Sequence, residues 1–261
     1  MDVDDLLEQT LWDHFWLPPW ATRVERPGLI YTHSSRDNPG LNMVPKVRLR
    51  GEPLEAAVRE VGARHEGVSS RWLLAPASHS AEVEGALTRG GYAEEHLHDG
   101  YATDPRSWSP APRSGVSAAP VTTAQDLSDL LRVGQAAFGA TGLDLSAERV
   151  ADELAACTGP EARVIRVLAR DTVTGEPLCG GGLNLFPALG VAFLWGGGTV
   201  PRGRGRGAYR AVVDARLAAA AAAGCRLVGV YARRETSAPI LAALGFEKHG
   251  PLVSWARPAA G

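Results

Sequence analysis

Residues Thr199-Val-Pro-Arg-Gly-Arg-Gly-Arg-Gly-Ala-Tyr209 concentrate three guanidinium groups and three glycines in one short segment. An apolar stretch, Val191-Ala-Phe-Leu-Trp195, precedes them and reads as a strand. An alanine-rich helical pattern follows. A strand feeding such a turn into a helix start makes an anion cradle. The first N–H groups of a helix have no intrahelical acceptor, and the dipole adds positive potential there. Glycines let the backbone approach the anion, and arginines supply charge-assisted bonds. The ligand chemistry this suits is a diphosphate.

Several diphosphate readings compete. A Walker loop is excluded, because no Lys-Ser or Lys-Thr follows the glycines. Gly203-x-Gly205-x-x-Ala208 fits the letters of a dinucleotide fingerprint. The next strand pattern, Leu227 to Tyr231, ends without an acid for a ribose hydroxyl, although Arg233 suits a 2′-phosphate. An NADP site therefore stays open, as does a solvated arginine turn with no ligand.

The segment also resembles the acetyl-CoA-binding motif of the GNAT superfamily of acyl-CoA N-acyltransferases, R/Q-x-x-G-x-G/A. Arg202-x-x-Gly205-x-Gly207 satisfies the letters. Arg204-x-x-Gly207-x-Tyr209 has the family's spacing from the corner Thr199-Val200-Pro201 and is the preferred frame. Tyr209 departs from the usual Gly or Ala, and is tolerable if it points along the helix away from the diphosphate. The likeness covers roughly residues 116–256 and continues through Leu244-Gly245-Phe246.

The resemblance implies an α/β fold of mixed α+β type, with a central mixed, mostly antiparallel sheet flanked by helices. It implies acetyl-CoA, or another acyl-CoA, as co-substrate, no metal, and the amine of a small molecule as acceptor; a homodimer is admitted. Backbone N–H groups of Gly205, Arg206, Gly207, Ala208 and Tyr209 would take the diphosphate, with Arg204 and Arg206 as charge partners. The pantetheine arm would lie beside Gly198, Thr199 and Val200, with Ser237 near its end. Many members carry a tyrosine on the last helix that protonates the leaving thiolate. Leu241 occupies that position here. Tyr231 and Glu235 are then the catalytic candidates by closeness in sequence, each with a plain alternative as a packed strand-end aromatic and a solvated acid. Two further functions compete: a catalytically silent CoA-binding module, and a transferase using another activated donor such as an aminoacyl-tRNA.

Composition bounds these readings. The chain has 261 residues, 21% charged and 45% hydrophobic, with a formal net charge of −2. No global field recruits nucleic acid or an anionic membrane. Cys157, Cys179 and Cys225 show no paired spacing, which suits a reducing compartment. The N-terminus is acidic and unlike a signal peptide, and no stretch is long enough to span a membrane. The expectation is a cytoplasmic protein.

A Pro/Ser-rich break from Asp104 to Pro120 divides the sequence. The expected organisation is a degenerate GNAT-like domain over 1–103, a linker over 104–115 and the cofactor-binding domain over 116–261. The N-terminal part predicts helices over Val3–Trp16, Pro53–His65 and Ala81–Arg89, and strands near Gly28–His33, Val44–Arg50, Arg71–Leu74 and Tyr92–Tyr101. A weak internal repeat links the two parts. Arg71-Trp-Leu-Leu-Ala75, a helix, then Leu87-Thr-Arg-Gly-Gly-Tyr92 has the layout of Leu227-Val-Gly-Val-Tyr231, a helix, then Leu241-Ala-Ala-Leu-Gly-Phe246. In the C-terminal part, Thr123 with Asp126 predicts a capped helix to Phe138. A second helix is expected over Ala147–Cys157, strands over Arg163–Arg170, Leu178–Phe186 and Gly190–Trp195, and the cradle helix over Gly207–Ala223. Thr236 and Ser237 are expected to cap the last helix. His96-x-His98-Asp99 reads as a surface strand rather than a metal site, and Trp12 and Trp16 as the buried face of the first helix.

Overall fold

The computed structural model describes residues 2–38, 40–110, 114–139, 145–159 and 161–259. In chain order the elements are α1 (Val3–Gln9), β1 (Thr22–Arg26), β2 (Leu29–His33), β3 (Met43–Val44), β4 (Lys46–Val47), α2 (Gly51–Arg64), β5 (Ser70–Leu74), α3 (Ala81–Arg89) and β6 (Ala93–Thr103). Then come β7 (Val116–Pro120), α4 (Ala124–Phe138), α5 (Ala147–Thr158), β8 (Val164–Asp171), β9 (Pro177–Phe186) and β10 (Val191–Thr199). The chain ends with α6 (Ala208–Ala222), β11 (Leu227–Arg233), α7 (Ser237–Ala243) and β12 (Glu247–Arg257). This is the expected mixed α/β architecture. The chain folds as two compact units: Met1–Ala102 with Tyr231–Gly261, and Thr103–Val230.

In the second unit, β7, β8, β9 and β10 pair antiparallel in sequence order, and β11 joins β10 in parallel. Adjacent residues of a strand point to opposite faces. A Cβ on Gly180 would meet Leu130 of α4, and one on Gly181 would meet Arg216 of α6. The two helices therefore cover opposite faces of this sheet. Leu127, Leu130, Val133, Val167, Leu178 and Val212 are among the apolar side chains they bury. Helix α4 starts where expected: Thr123 Oγ1 accepts from Asp126 N–H at 3.1 Å and donates to its carboxylate at 2.7 Å. Left-handed Gly139 ends it.

Residues 104–110 are not a free tether. The Trp108 indole donates to Asp214 Oδ1 of α6 at 2.8 Å, and Arg210 stacks on the Trp108 ring. Residues 111–113 of the expected linker lie outside the described residues.

In the first unit, β12 lies between β5 and β6, antiparallel to both. Its Val253 and Trp255 join Trp72, Leu74, Leu87 and Tyr92 in one core. Burial of those side chains draws 231–261 into this unit, where the sequence had suggested placing it with 116–230. The two repeat copies share a local signature. Tyr92 N–H donates to Leu87 carbonyl at 3.0 Å across left-handed Gly91, and Phe246 N–H donates to Leu241 carbonyl at 3.1 Å across left-handed Gly245.

Three expectations need correction. Helix α1 stops at Gln9 instead of Trp16, because Thr10 Oγ1 turns back to Leu7 carbonyl at 2.7 Å and tighter turns follow. Trp16 and Trp20 consequently stay exposed. Strand β1 carries no strand signal in the sequence, since Thr22-Arg-Val-Glu-Arg26 is mostly solvated and lacks an apolar alternation. Asp99 is not a surface acid. It is buried and paired with Arg234 at 2.7 Å and Lys248 at 2.9 Å, which hold its carboxyl below the usual range against the opposing pull of burial.

Candidate functional site

The cradle lies in the second unit, at the carboxyl end of β10. Strand β10 pairs with β11 only at Val191, Ala192 and Phe193, although it runs on to Thr199. Beyond Phe193 its ladder is with β9 alone, and that ladder is itself broken by a bulge between Trp195 and Gly198. The result is an open strand edge beside a glycine run.

Close packing or a positive φ accounts for several of these glycines. The Trp195 ring, held by Nε1 donating to Asn184 Oδ1 at 2.8 Å, lies where a Cβ on Gly182 would be. A Cβ on Gly198 would sit 2.8 Å from Ala137 Cβ and 3.0 Å from the Phe138 ring. Gly196 has φ +60° and faces open space. Thr199 Oγ1 donates to the Cys179 thiol at 3.2 Å, and burial pushes that thiol's pKa up.

After Thr199 the chain turns sharply. Val200 is buried and donates to Leu178 carbonyl at 3.0 Å, and Pro201–Gly203 form one 3₁₀ turn. Gly203 presses on Leu178 carbonyl so closely that a Cβ would sit 2.9 Å from its oxygen. Gly205 and Gly207 both take positive φ, +71° and +80°. Gly207 is the N-cap of α6 and offers no side-chain acceptor. The first helical bond is Ala211 N–H to Gly207 carbonyl. Backbone N–H groups of 205–210 donate to no acceptor among the described residues, so the helix start presents the unsatisfied donors that an anion would take.

The three turn arginines differ. Arg206 is ion-paired with Asp171, at the end of β8. Asp171 also accepts from Thr174 N–H at 3.0 Å and Val173 N–H at 2.8 Å, and these donors with Arg206 hold its carboxyl far below the usual range. Arg202 Nε lies 3.3 Å from Glu176. Arg204 is exposed and has no acidic partner among the described residues. Two arginines thus tie the turn to the β8–β9 hairpin, and the third has no such tie among the described residues.

Ala208 is buried in the core of this unit. Tyr209, the departure from the motif, is half-buried. Its ring packs on the bulge, with Cε2 3.0 Å from where a Cβ on Gly197 would be. Burial raises its phenol pKa.

Tyr231, Glu235 and Ser237 belong to the first unit. Tyr231 packs with Leu73, Ala75 and Leu252. Burial, with Glu8 and Asp4 nearby, pushes its pKa far above the usual phenol range. Glu235 is exposed in the turn before α7. Ser237 Oγ accepts from Arg233 N–H at 3.1 Å and closes that turn, whereas Thr236, at the N-cap, makes no side-chain capping bond. Leu241 is fully buried.

Sequence reasoning passed over Arg216. It lies on α6, is 1% exposed, and sits beneath the bulge. Its only sequence signal is a lone cation in the run Val212-Val-Asp-Ala-Arg-Leu-Ala-Ala219. Among the described residues no group of three or more His, Cys, Asp or Glu is placed to hold a metal ion, and no helix is long and apolar enough to cross a membrane.

No family model matches the sequence, and no curated protein does. Solved structures do. The chain is similar to a GCN5-related N-acetyltransferase from Kribbella flavida, at 18% identity over 99% of this chain and 95% of that one, with a TM-score of 0.69. It is similar to a GCN5-related N-acetyltransferase from Sphaerobacter thermophilus at 16% identity, covering 100% of this chain and 86% of that one, TM-score 0.66. A tandem GNAT protein from the clavulanic acid biosynthesis pathway matches at 16% identity over 100% and 89%, TM-score 0.60. At such identities the likeness shows the fold: that of the GCN5-related N-acetyltransferases, including a tandem member.

Proposed function

We propose that this chain, which has the GNAT fold, is an acyl-CoA-dependent N-acyltransferase that moves an acetyl or other short acyl group to the amine of a small molecule. The carrying observation is the pairing of unsatisfied N–H groups at the start of α6 with an unpaired Arg204, beside an open edge of β10. The N–H groups of Gly205 to Tyr209 and the Arg204 guanidinium bind the diphosphate. Main-chain groups of Gly198 to Val200 pair with the pantetheine arm as an extra strand would. The glycine bulge lets the thioester carbonyl approach backbone donors that stabilise developing negative charge. The amine nitrogen attacks that carbon. A C–N bond forms, the C–S bond breaks, and the sulfur leaves as thiolate and takes up the proton shed by nitrogen.

A cytoplasmic setting belongs to the proposal, and three unpaired thiols favour it. The likeness to acetyltransferase folds, with no arginine-glycine cradle in the first unit, supports a single donor site in the second.

One observation favours a second reading. Leu241 is buried where many family members carry the acid tyrosine, which fits a module that binds CoA without turnover. Titration calorimetry and a thioester-consumption assay separate the two. Both readings predict that acetyl-CoA binds, that NADPH does not, and that Arg204→Glu weakens binding at least tenfold with the thermal transition unchanged, since a charge-assisted contact is lost and reversed. Only the enzyme reading predicts acyl transfer in a screen of small amines read by mass spectrometry. Unaltered affinity in Arg204→Glu would remove the cradle assignment.

A further inference from the structure

Arg216 is a buried cation without an anion. Nε donates to Val212 carbonyl at 3.2 Å, and Nη1 to Gly182 carbonyl at 3.1 Å and Trp195 carbonyl at 3.5 Å. Nη2 is buried and makes no hydrogen bond of good geometry; the guanidinium interacts only loosely with the Tyr209 phenol. No carboxylate pairs with it among the described residues; the titratable groups beside it are the Tyr209 phenol and the Cys179 thiol. Isolated buried charge is costly, and carbonyls offset it only in part. A buried donor left open calls for an explanation.

The surroundings are shaped for this side chain. A Cβ on Gly181 would sit 2.8 Å from Nη1. A Cβ on Gly197 would sit 3.6 Å from Nη2, 3.6 Å from the Tyr209 hydroxyl and 3.0 Å from Tyr209 Cε2. Nη2 and the phenol oxygen therefore converge on the bulge of β10, the segment that lies along the open edge. Gly196, next in the bulge, faces open space. Three departures from an ordinary cradle thus meet at one place: Tyr209 in the motif, Arg216 in an alanine-rich helix, and glycine runs in both β9 and β10.

We infer that Arg216 Nη2 and the Tyr209 hydroxyl form a receptor for a carboxylate at the far end of the acyl group, so that the preferred donor is the CoA thioester of a dicarboxylic acid, of malonyl or succinyl type. This rests on the acyl-CoA reading of the same site and narrows it. A carboxylate completes the hydrogen bonding of the guanidinium, neutralises its charge, and accepts from the phenol. The bond changes are those of the transfer above, and the distal carboxylate is unaltered.

The test is calorimetry on the full chain with succinyl-CoA and butyryl-CoA, which share the thioester and differ in the terminal carboxylate. The wild type is expected to hold succinyl-CoA at least about tenfold more tightly, as for a hydrogen-bonded charged partner. Arg216→Met, which replaces the cation by an apolar chain, is expected to abolish that preference. Tyr209→Phe, which removes one hydroxyl, is expected to reduce it about threefold and serves if Arg216→Met does not fold. Equal wild-type affinity for the two thioesters overturns the inference and leaves the acyl-CoA reading standing. A preference untouched by the substitutions overturns it too. Failure of both thioesters to bind removes the acyl-CoA reading itself.

Discussion

At the residue scale, position in the cradle matters less than which charges are already spent. Arg202, Arg204 and Arg206 alternate with glycine and look equivalent in sequence. Asp171 and Glu176 distinguish them by pairing with the outer two. Arg206→Gln should therefore weaken donor binding less than Arg204→Glu. It should also cost at most about 1 kcal/mol of stability, because the Arg206 side chain is 42% exposed and screened. Side-by-side calorimetry and urea unfolding check this, and equal losses from both substitutions would contradict it. Buried histidines set a pH dependence in the first unit. His65 Nε2 donates to Thr32 carbonyl at 2.8 Å, and Nδ1 accepts from Ser70 Oγ at 2.6 Å. Burial draws its pKa from 6.5 to about 4. Between those values the unfolded chain binds more protons than the folded one. Stability is then full above pH 6.5 and is lost as pH falls toward 4. The expected loss from this group is about 2 kcal/mol between pH 7 and pH 5, read by urea unfolding. His65→Gln should shrink it. A flat profile in the wild type would contradict the assignment.

At the element scale, the cradle is held by strands that have given up side chains. The turn from β10 into α6 works because Gly203 fits against Leu178 carbonyl and Gly207 takes a left-handed N-cap. Gly203→Ala places a carbon 2.9 Å from that oxygen, a backbone atom that cannot swing aside. The expected cost is about 1–3 kcal/mol, with a lower thermal transition and weaker donor binding together. Loss of stability with unchanged binding would uncouple the turn from the site. The boundaries of α3, α4 and α5 follow the sequence closely, since Ser80, Thr123 and Ser146 each accept from an N–H three residues on. Helix α1 does not, because Thr10 takes up a backbone carbonyl where periodicity continues.

At the scale of the whole molecule, the last strand completes the core of the first unit. Trp255 is 8% exposed and faces a core of residues from β2, β5, α2 and α3. Trp255→Ala should destabilise that unit by about 3–5 kcal/mol in urea. A loss under 1 kcal/mol would argue against this placement of β12.

The sequence by itself determined where the arginine-glycine turn enters its helix, the α/β class, and most element identities, because caps, left-handed glycines and apolar periods act over a few neighbouring residues. Tertiary structure alone decided three matters: which arginine is left unpaired, where residues 231–261 pack, and that Arg216 lies under the bulge. Each depends on residues distant in the chain, Asp171 for Arg206, Trp72 for Trp255 and Gly181 for Arg216. Local propensity carries no record of such partners; burial and charge pairing select them only once the strands are side by side.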